Sequence, residues 1–416
     1  MRMKRSISIL MACMLMLSLV TLLGACQKGK ETVTLYVYNW GEYISDGSEG
    51  TLDVNAAFEE YCEKELGMSV EVNYSTFSSN EDMYAKVNSE ASVYDVIIPS
   101  DYMIQRLINE GKLLPLELDK IPNYQYIREE FKGENVYYEP QDGNVYSVPY
   151  AYGMVGIIYN TSIVPEDHPT IGSWDLMWDE SFRGDILQFN NSRDAFGTAL
   201  YSMGYDVNDA TVEQWREALD KLKAQKELVQ GYVMDEIFNK MKSGSAAVSA
   251  YYAGDFLAMY EENDDLAFFY PQEGTNMYVD AMCIPANSKN AELAMKYINF
   301  MCSEEIAVAN AEYHYYASPS QLVVENAGYR EYMATSHEDA MELLYGSEDG
   351  DGVKAQAYLN LDQEKLVLLN SLWEELKVES KIGKGIYIWC AVILLALITW
   401  AVANFLRKRR WAKLYD

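Results

Sequence analysis

The chain has 416 residues, which is more than one small hydrophobic core requires and indicates two domains or lobes. It contains 63 Asp and Glu residues against 33 Lys and Arg residues, and a formal net charge of −30 repels nucleic acid and attracts cations. Only three His residues occur, so neither a zinc site nor a His-based catalytic triad is expected. Cys62, Cys283 and Cys302 lie in apolar contexts without paired spacing, which predicts buried free thiols.

The first 25 residues have the layout of a secretory signal. A basic start is followed by an apolar run and by small residues before Cys26. The ending LLGAC resembles a bacterial lipobox, in which the cysteine is lipidated and becomes the first residue of the mature protein. The alternative is a signal that is cleaved in the ordinary way, with Cys26 incidental.

Strands and helices alternate in the first part of the body. The apolar run Val33–Val37 predicts a strand, and residues 53–67 predict an amphipathic helix. SVEVNY predicts a second strand, NEDMYAKVNSE a second helix, and YDVIIPSDYMIQRLINEGKLLPL a third strand with its helix. This rhythm indicates a parallel sheet with helices on its faces, in which ligands bind outside the carboxyl ends of the strands. Trp40 and Ser100 both follow such strand ends.

The region from about residue 150 to residue 270 has its own α/β pattern. MVGIIYN, ILQF and AAVSAYY predict strands, and DAFGTALYSMG and VEQWREALDKLKAQ predict helices. A short strand and two helices follow, and a helical, acidic tail runs from Gln321 to Glu379. The sequence has no low-complexity linker between these regions, which favours two lobes joined by strands that cross between them.

The C-terminal end predicts a membrane-spanning helix. Residues 386–406 form an apolar stretch of about 21 residues without a charge, long enough to cross a bilayer. The basic segment 407–416 follows directly, and such positive flanks stay on the cytoplasmic side. We therefore expect a cytoplasmic C-terminus and an acidic body on the opposite side of the membrane.

Aromatic and acidic side chains occur together at the predicted strand ends. The set comprises Trp40, Glu42, Tyr43, Ser100, Asp101, Tyr102, Asn191, Asp194, Tyr251, Tyr252, Asp255, Tyr278, Asp280, Tyr315 and Tyr316. A ligand with ammonium groups needs this mixture, because carboxylates neutralise each charge and aromatic faces add cation–π attraction of roughly 0.5–2 kcal/mol. Single members also have a structural interpretation, since the chain has 34 Tyr residues and Ser100 and Asp194 could cap helices. The whole set predicts a cation-binding cleft.

Several stretches of the body together resemble the polyamine-binding (spermidine/putrescine) substrate-binding proteins of ABC transporters. They are LYVYNWGEYI, YDVIIPSDYMIQRLINEGKLLPL, YSVPYAYGMVGIIYN, SWDLMWDESFRGDILQFNNSRDAFGTALYSMG, YYAGD and NMYVDAMCIPANSKN. The resemblance runs from about Thr32 to Glu379 and implies an α/β, two-lobed periplasmic-binding-protein fold of the second type. It further implies a non-enzymatic function without cofactor or metal, in which putrescine or spermidine is captured outside the cell and delivered to an ABC permease.

The resemblance assigns roles to individual positions. The positions that match ligand contacts of the family are Trp40, Tyr43, Ser100, Tyr102, Asp194, Tyr252, Asp255, Tyr278, Asp280 and Tyr316. Asp280 matches the acid that holds an amino group, and Asp255 the acid of putrescine binders. Tyr stands in place of Trp at two ring positions, one of them Tyr252, and Asn191 stands in place of an acid. Glu42 and Asn191 remain further candidates, and the choice between putrescine and spermidine stays open.

Three alternatives to polyamine capture are compatible with the residues. The adjacent pairs Tyr251–Tyr252 and Tyr315–Tyr316 resemble the phenolate pairs of ferric-ion binders, whose hard oxygen ligands suit Fe³⁺. A surface hydrolase with paired carboxylates is a second alternative, although the sequence has no G-x-S-x-G, H-E-x-x-H or Gly-rich phosphate loop. A structural or adhesive surface protein is the third, and it would bind no small cation.

The predicted organisation is a monomer that is anchored in the membrane at both ends and has no nucleic-acid partner. The predicted boundaries are 1–25 for the signal, 32–148 with 275–316 for lobe 1, 149–274 with 317–380 for lobe 2, 386–406 for the spanning helix and 407–416 for the cytoplasmic tail.

Overall fold

A computed structural model describes residues 32–89, 93–346, 352–378, 392–404 and 407. The predicted signal, the candidate lipidation site Cys26 and nearly all of the predicted cytoplasmic tail lie outside the described residues. Of the predicted spanning segment 386–406, residues 392–404 are described and are helical. No helix within the described ranges combines the length and the apolar character that a membrane crossing needs.

The strands of the described residues join into one connected sheet. They are β1 Val33–Trp40, β2 Val70–Phe77, β3 Val96–Ile97, β4 Ser147–Asn160, β5 Ile186–Phe189, β6 Val229–Val233, β7 Val248–Tyr252, β8 Leu266–Phe269, β9 Thr275–Cys283 and β10 Ala355–Ala357. The order is β2-β1-β3-β9-β4-β7-β5-β6, with β8 paired to β4 and β10 paired to β9. β1 is parallel to β2 and β3, as the sequence predicted, and β5 is parallel to β6 and β7.

The two central strands, β4 and β9, do not follow the parallel arrangement that the sequence predicted for the first part of the body. β9 and β4 are antiparallel to each other, and they are also antiparallel to β3 and β7 respectively. The first half of β4, Ser147–Met154, pairs with β9, and Val155–Tyr159 in the second half pairs with β7. The sequence predicted only residues 154–160 as a strand. The first half contains Pro149, which has no N–H to donate and lies where the register shifts, so it obscures the strand pattern.

Helices cover both faces of the sheet. They are α1 Val54–Glu65, α2 Asn80–Val87, α3 Asp101–Asn109, α4 Ser192–Ser202, α5 Val212–Gln225, α6 Glu236–Lys242, α7 Ala253–Tyr260, α8 Ala291–Met301, α9 Glu304–His314, α10 Gln321–Val324, α11 Ala327–Ser336, α12 Ala340–Tyr345 and α13 Gln363–Val378. Local sequence explains where several of them begin. At α5, for example, Thr211 and Gln214 form a reciprocal capping box that satisfies two backbone N–H groups.

The buried apolar side chains divide into cores on the two sides of the central strands. Leu35 and Phe58 belong to the core around β1, β3 and α1. We call this core, together with the elements around it and helix α3, lobe 1. Phe196 and Trp215 belong to the core around β5, β7 and α4, which we call lobe 2. The tail helix α13 packs Leu372 into lobe 2. The described cysteines are buried and free, as predicted: Cys62, Cys283 and Cys302.

Candidate functional site

A cavity opens between the two lobes at the strand ends. It is lined by all ten predicted contact residues and by Asn191, which are Trp40, Tyr43, Ser100, Tyr102, Asn191, Asp194, Tyr252, Asp255, Tyr278, Asp280 and Tyr316. Glu42, the remaining candidate, lines an adjoining cleft instead. Residues that lie up to 276 positions apart in the chain therefore meet in one place because the carboxyl ends of several strands face the same space.

Asp280 is the acidic centre of the lobe 1 wall. Its Oδ1 accepts a hydrogen bond from the Ser100 hydroxyl at 2.6 Å, and its Oδ2 accepts one from the Tyr43 hydroxyl at 2.7 Å. Ser100 occupies the N-cap position of α3, but its hydroxyl bonds to Asp280 instead of the helix. Burial raises the pKa of Asp280 to about 7, although both hydrogen bonds act in the opposite direction. A positive charge beside this carboxyl would favour its ionised form.

Asp255, in the first turn of α7, is the acidic group of the opposite wall. The Tyr316 hydroxyl donates to its Oδ2 at 2.7 Å. Burial raises the pKa of Asp255 to about 8, and the negative charges of Asp235 and Glu42 raise it further, whereas the Tyr316 hydrogen bond lowers it. This carboxyl therefore lacks a compensating cation among its neighbours.

Asp194, in the first turn of α4, is a third acidic position. Its Oδ2 accepts hydrogen bonds from the Tyr252 hydroxyl at 2.9 Å and from Asn191 Nδ2 at 2.7 Å. The Asn191 side-chain oxygen also accepts from the Asp194 backbone N–H at 2.8 Å and caps the helix. The N-cap is therefore Asn191 and not Asp194, whose carboxyl is left to line the cavity. Burial raises its pKa, and the two side-chain hydrogen bonds oppose that rise.

Aromatic rings form much of the remaining wall. The rings of Tyr252 and Tyr278 meet edge to face with centroids 5.2 Å apart, and those of Tyr43 and Tyr316 do so at 5.0 Å. Trp40 packs against a neighbouring Phe ring outside the lining at 4.5 Å. Such contacts hold rings in defined orientations and leave an apolar surface between the carboxyl groups. This surface suits a methylene chain.

Two acids of the wall, Glu81 and Asp235, were not identified from the sequence, whereas Asp101 was identified there at the end of a predicted strand. Glu81 accepts a hydrogen bond from the Tyr102 hydroxyl at 3.0 Å, and burial raises its pKa. Asp101 accepts from the Val279 backbone N–H at 3.1 Å and from the Tyr137 hydroxyl, so it joins α3 to β9. Glu81 lies in the first turn of α2, where an acidic residue already has a helix-stabilising explanation. That explanation concealed the place of Glu81 in the cavity.

The cavity is acidic and has polar groups that the protein does not satisfy. Its carboxyl groups are those of Glu81, Asp101, Asp194, Asp235, Asp255 and Asp280, and no described lining residue is Lys, Arg or His. The buried Asn276 has an Oδ1 without a hydrogen-bond partner among the described residues. A ligand that brings positive charge and N–H donors would satisfy these acceptors. Within the described ranges, no group of three His, Cys, Asp or Glu residues is arranged to hold a metal ion.

The hydroxyl groups of the adjacent pair Tyr315–Tyr316 have different partners. The Tyr315 hydroxyl bonds to Glu261 and, at 2.6 Å, to the Tyr332 hydroxyl, whereas the Tyr316 hydroxyl bonds to Asp255. Burial raises the pKa of Tyr315 and of Tyr316, which opposes the phenolate form that Fe³⁺ binds. The geometry of this pair therefore gives the ferric-ion alternative no support.

Comparison with known proteins places the chain in a family. The family model described as "Bacterial extracellular solute-binding protein" matches residues 56–335. The chain belongs to this family. Members are solute-binding proteins and not enzymes. A spermidine/putrescine-binding periplasmic protein of Salmonella typhimurium is 31% identical to this solute-binding protein over 288 residues, which are 69% of this chain and 78% of that one.

Solved structures agree with the fold of this solute-binding protein. A structure assigned to a spermidine/putrescine ABC transporter of Listeria monocytogenes has a TM-score of 0.72 and 32% sequence identity, and it covers 83% of this chain and 99% of that chain. A spermidine/putrescine ABC transporter substrate-binding protein of Streptococcus pneumoniae has a TM-score of 0.63 and 30% identity, and covers 83% of this chain and 98% of that chain. The predicted α/β, two-lobed binding-protein fold is thereby confirmed.

Proposed function

We propose that this solute-binding protein captures a polyamine outside the cell and delivers it to the permease of an ABC transporter. The observation that carries the proposal is the cavity, where six carboxyl groups and several aromatic rings meet and no described lining residue is Lys, Arg or His. A polyamine supplies positive charges for the carboxyl groups and methylene chains for the rings. The spermidine/putrescine relatives named above support the same class of ligand.

In this proposal each charged end of the ligand has an acidic partner. Asp280 and Asp255 would each neutralise one ammonium group, and Asp194 would offer a third position. The rings of Trp40 and Tyr278 would enclose the methylene chain. The full set of proposed contacts is Trp40, Tyr43, Ser100, Tyr102, Asn191, Asp194, Tyr252, Asp255, Tyr278, Asp280 and Tyr316, with Glu42 at the adjoining cleft.

The proposed closing units are the two lobes with the boundaries given above, 32–148 with 275–316 and 149–274 with 317–380. Support comes from the separate buried cores on the two sides of β4 and β9. Because a polyamine in the cavity would contact both lobes, it would favour their closed arrangement.

Isothermal titration calorimetry on residues 27–380 tests the proposed function. Putrescine, spermidine, spermine and ferric citrate are titrated separately, and saturable one-to-one binding of at least one polyamine is expected. The relative affinities of putrescine and spermidine would settle the ligand length. No heat from any amine, with circular dichroism showing a folded protein, would overturn the proposal.

We also propose that the protein is anchored at both ends, by a lipid at Cys26 and by the apolar segment 386–406. The helical part of this segment exposes large apolar side chains such as Leu394 and Trp400, which suits contact with lipid. Anchoring would keep the binding protein concentrated beside its permease.

In cell fractionation, the full chain and the C26A variant should stay in the membrane fraction. Removal of residues 386–416 from the C26A variant should release the protein. Release of C26A alone would contradict the second anchor.

A further inference from the structure

The segment Ala355–Leu361 lies beyond the residues that the family model matches, yet it forms part of the cavity. Its strand β10 pairs in parallel with the start of β9, at Thr275–Met277. The next residue, Tyr358, is buried and lines the cavity. Gly197 in α4 makes room for this ring, because a Cβ at that position would collide with the Tyr358 hydroxyl.

The segment is fixed to lobe 2 by several hydrogen bonds. Asn208 donates to the carbonyl oxygen of Ala357 at 2.8 Å and accepts from the Leu359 backbone N–H at 2.8 Å. The buried Arg193 donates to the carbonyl oxygen of Leu359 at 3.2 Å, and its guanidinium lies 4.5 Å from the centre of the Tyr358 ring. These contacts come from α4 and from the loop after it, both in lobe 2.

The same segment also reaches lobe 1. The Asn360 backbone N–H donates to the Gln105 side-chain oxygen at 2.9 Å, and the Tyr358 ring meets the Tyr102 ring edge to face at 6.3 Å. Tyr102 and Gln105 are three residues apart in α3 and therefore share one face of that helix. One short segment thus contacts both walls of the cavity.

We propose that Ala355–Leu361 is a latch that holds the lobes together and slows release of the ligand. The proposal rests on the proposed binding function of the cavity. When the lobes separate, the bonds to Asn208 and Arg193 stay intact, because both partners move with lobe 2. The pairing of β10 with Thr275–Met277 also stays intact, because those residues lie at the border between the two lobes, where β9 begins. The Gln105 hydrogen bond and the Tyr102 ring contact must break, because their partners belong to lobe 1. Contacts made only in the closed arrangement lower the dissociation rate and leave the association rate nearly unchanged.

Substitution of Gln105 in the full chain tests the latch. Q105A removes the acceptor of the Asn360 N–H, and Q105E keeps an oxygen acceptor at the same place. Dissociation of putrescine and of spermidine is followed by stopped-flow tryptophan fluorescence, since Trp40 lines the cavity. Q105A should raise the dissociation rate about 5-fold, the effect of losing one net hydrogen bond, with an unchanged association rate. Q105E should stay near the unmodified chain. Q321A, which removes a surface hydrogen bond to Glu325, should have no effect.

A measurement without any polyamine separates this inference from the proposed function. Residue-resolved amide exchange compares Asn360, whose N–H is bound to lobe 1, with Leu359, whose N–H is bound to lobe 2. In Q105A, the Asn360 amide should lose protection and the Leu359 amide should keep it. Equal protection of the Asn360 amide in Q105A and the unmodified chain would overturn the latch, even if no polyamine binds. An unchanged dissociation rate in Q105A would overturn it where polyamine does bind.

Discussion

The D280N variant is expected to bind polyamine about 100-fold more weakly than the unmodified chain, while its melting temperature stays the same or rises. Loss of one partner from a buried charge pair costs about 3 kcal/mol of binding free energy, which corresponds to that factor. An Asn can still accept from Ser100 or Tyr43, and it has no charge that the fold must bury. Calorimetry with putrescine and spermidine measures the affinity, and differential scanning calorimetry measures the melting temperature.

The controls for this variant separate the cavity from the general charge of the protein. D142N also removes one negative charge, but at an exposed turn where Asp142 only accepts from a neighbouring backbone N–H, so it should bind normally. The double variant D255N/D280N should show no measurable binding. If D280N keeps the affinity of the unmodified chain, Asp280 does not hold an ammonium group and the proposed site is wrong.

Much of the fold follows from local patterns in the sequence. The strand Ile186–Phe189 and the helix Val212–Gln225 have the predicted bounds, because a compact apolar run and a capping box with a regular apolar stripe lie within each segment. β10 could not be predicted in the same way. Its strand conformation depends on pairing with β9, about 80 residues earlier in the chain, and the surrounding tail has a helical pattern.

The residues of the candidate site also fall into two groups, those that local sequence predicts and those that depend on tertiary packing. Trp40 follows a predicted strand and Tyr252 ends one, so the rule that ligands bind beyond the carboxyl ends of strands led to them directly. Tyr358 and Glu81 reach the cavity through contacts between distant segments, with Arg193 and with Tyr102. Neither contact can be predicted from the residues next to it in the sequence. The position of a ring or carboxyl that depends on tertiary packing required the structure.

The raised pKa values also predict how stability depends on pH when no amine is present. Asp255 and Asp280 have folded pKa values of about 8 and about 7, against an ordinary value of 3.8. Between roughly pH 4 and pH 8, the folded protein therefore binds more protons at these groups than the unfolded chain does. Their contribution to stability is fully present below pH 4 and is lost as the pH rises through the two folded values. The melting temperature should fall from pH 6 to pH 8.5, and D255N/D280N should reduce that fall.

Polyamine affinity should change with pH in the opposite direction. Alkyl ammonium groups resemble Lys, with a pKa near 10.4, and stay charged up to pH 8.5, so the carboxyl groups decide the profile. At pH 6 most of Asp255 and Asp280 is protonated, and an incoming ammonium group must first displace those protons. We expect affinity for putrescine to rise at least 10-fold from pH 6 to pH 8.5. This is the factor by which the ionised fraction of one carboxyl with a pKa of about 7 increases over that range. Calorimetry in buffers of different ionisation enthalpy would detect the released protons directly. A flat profile without proton release would mean that both carboxyl groups are already ionised before the ligand arrives.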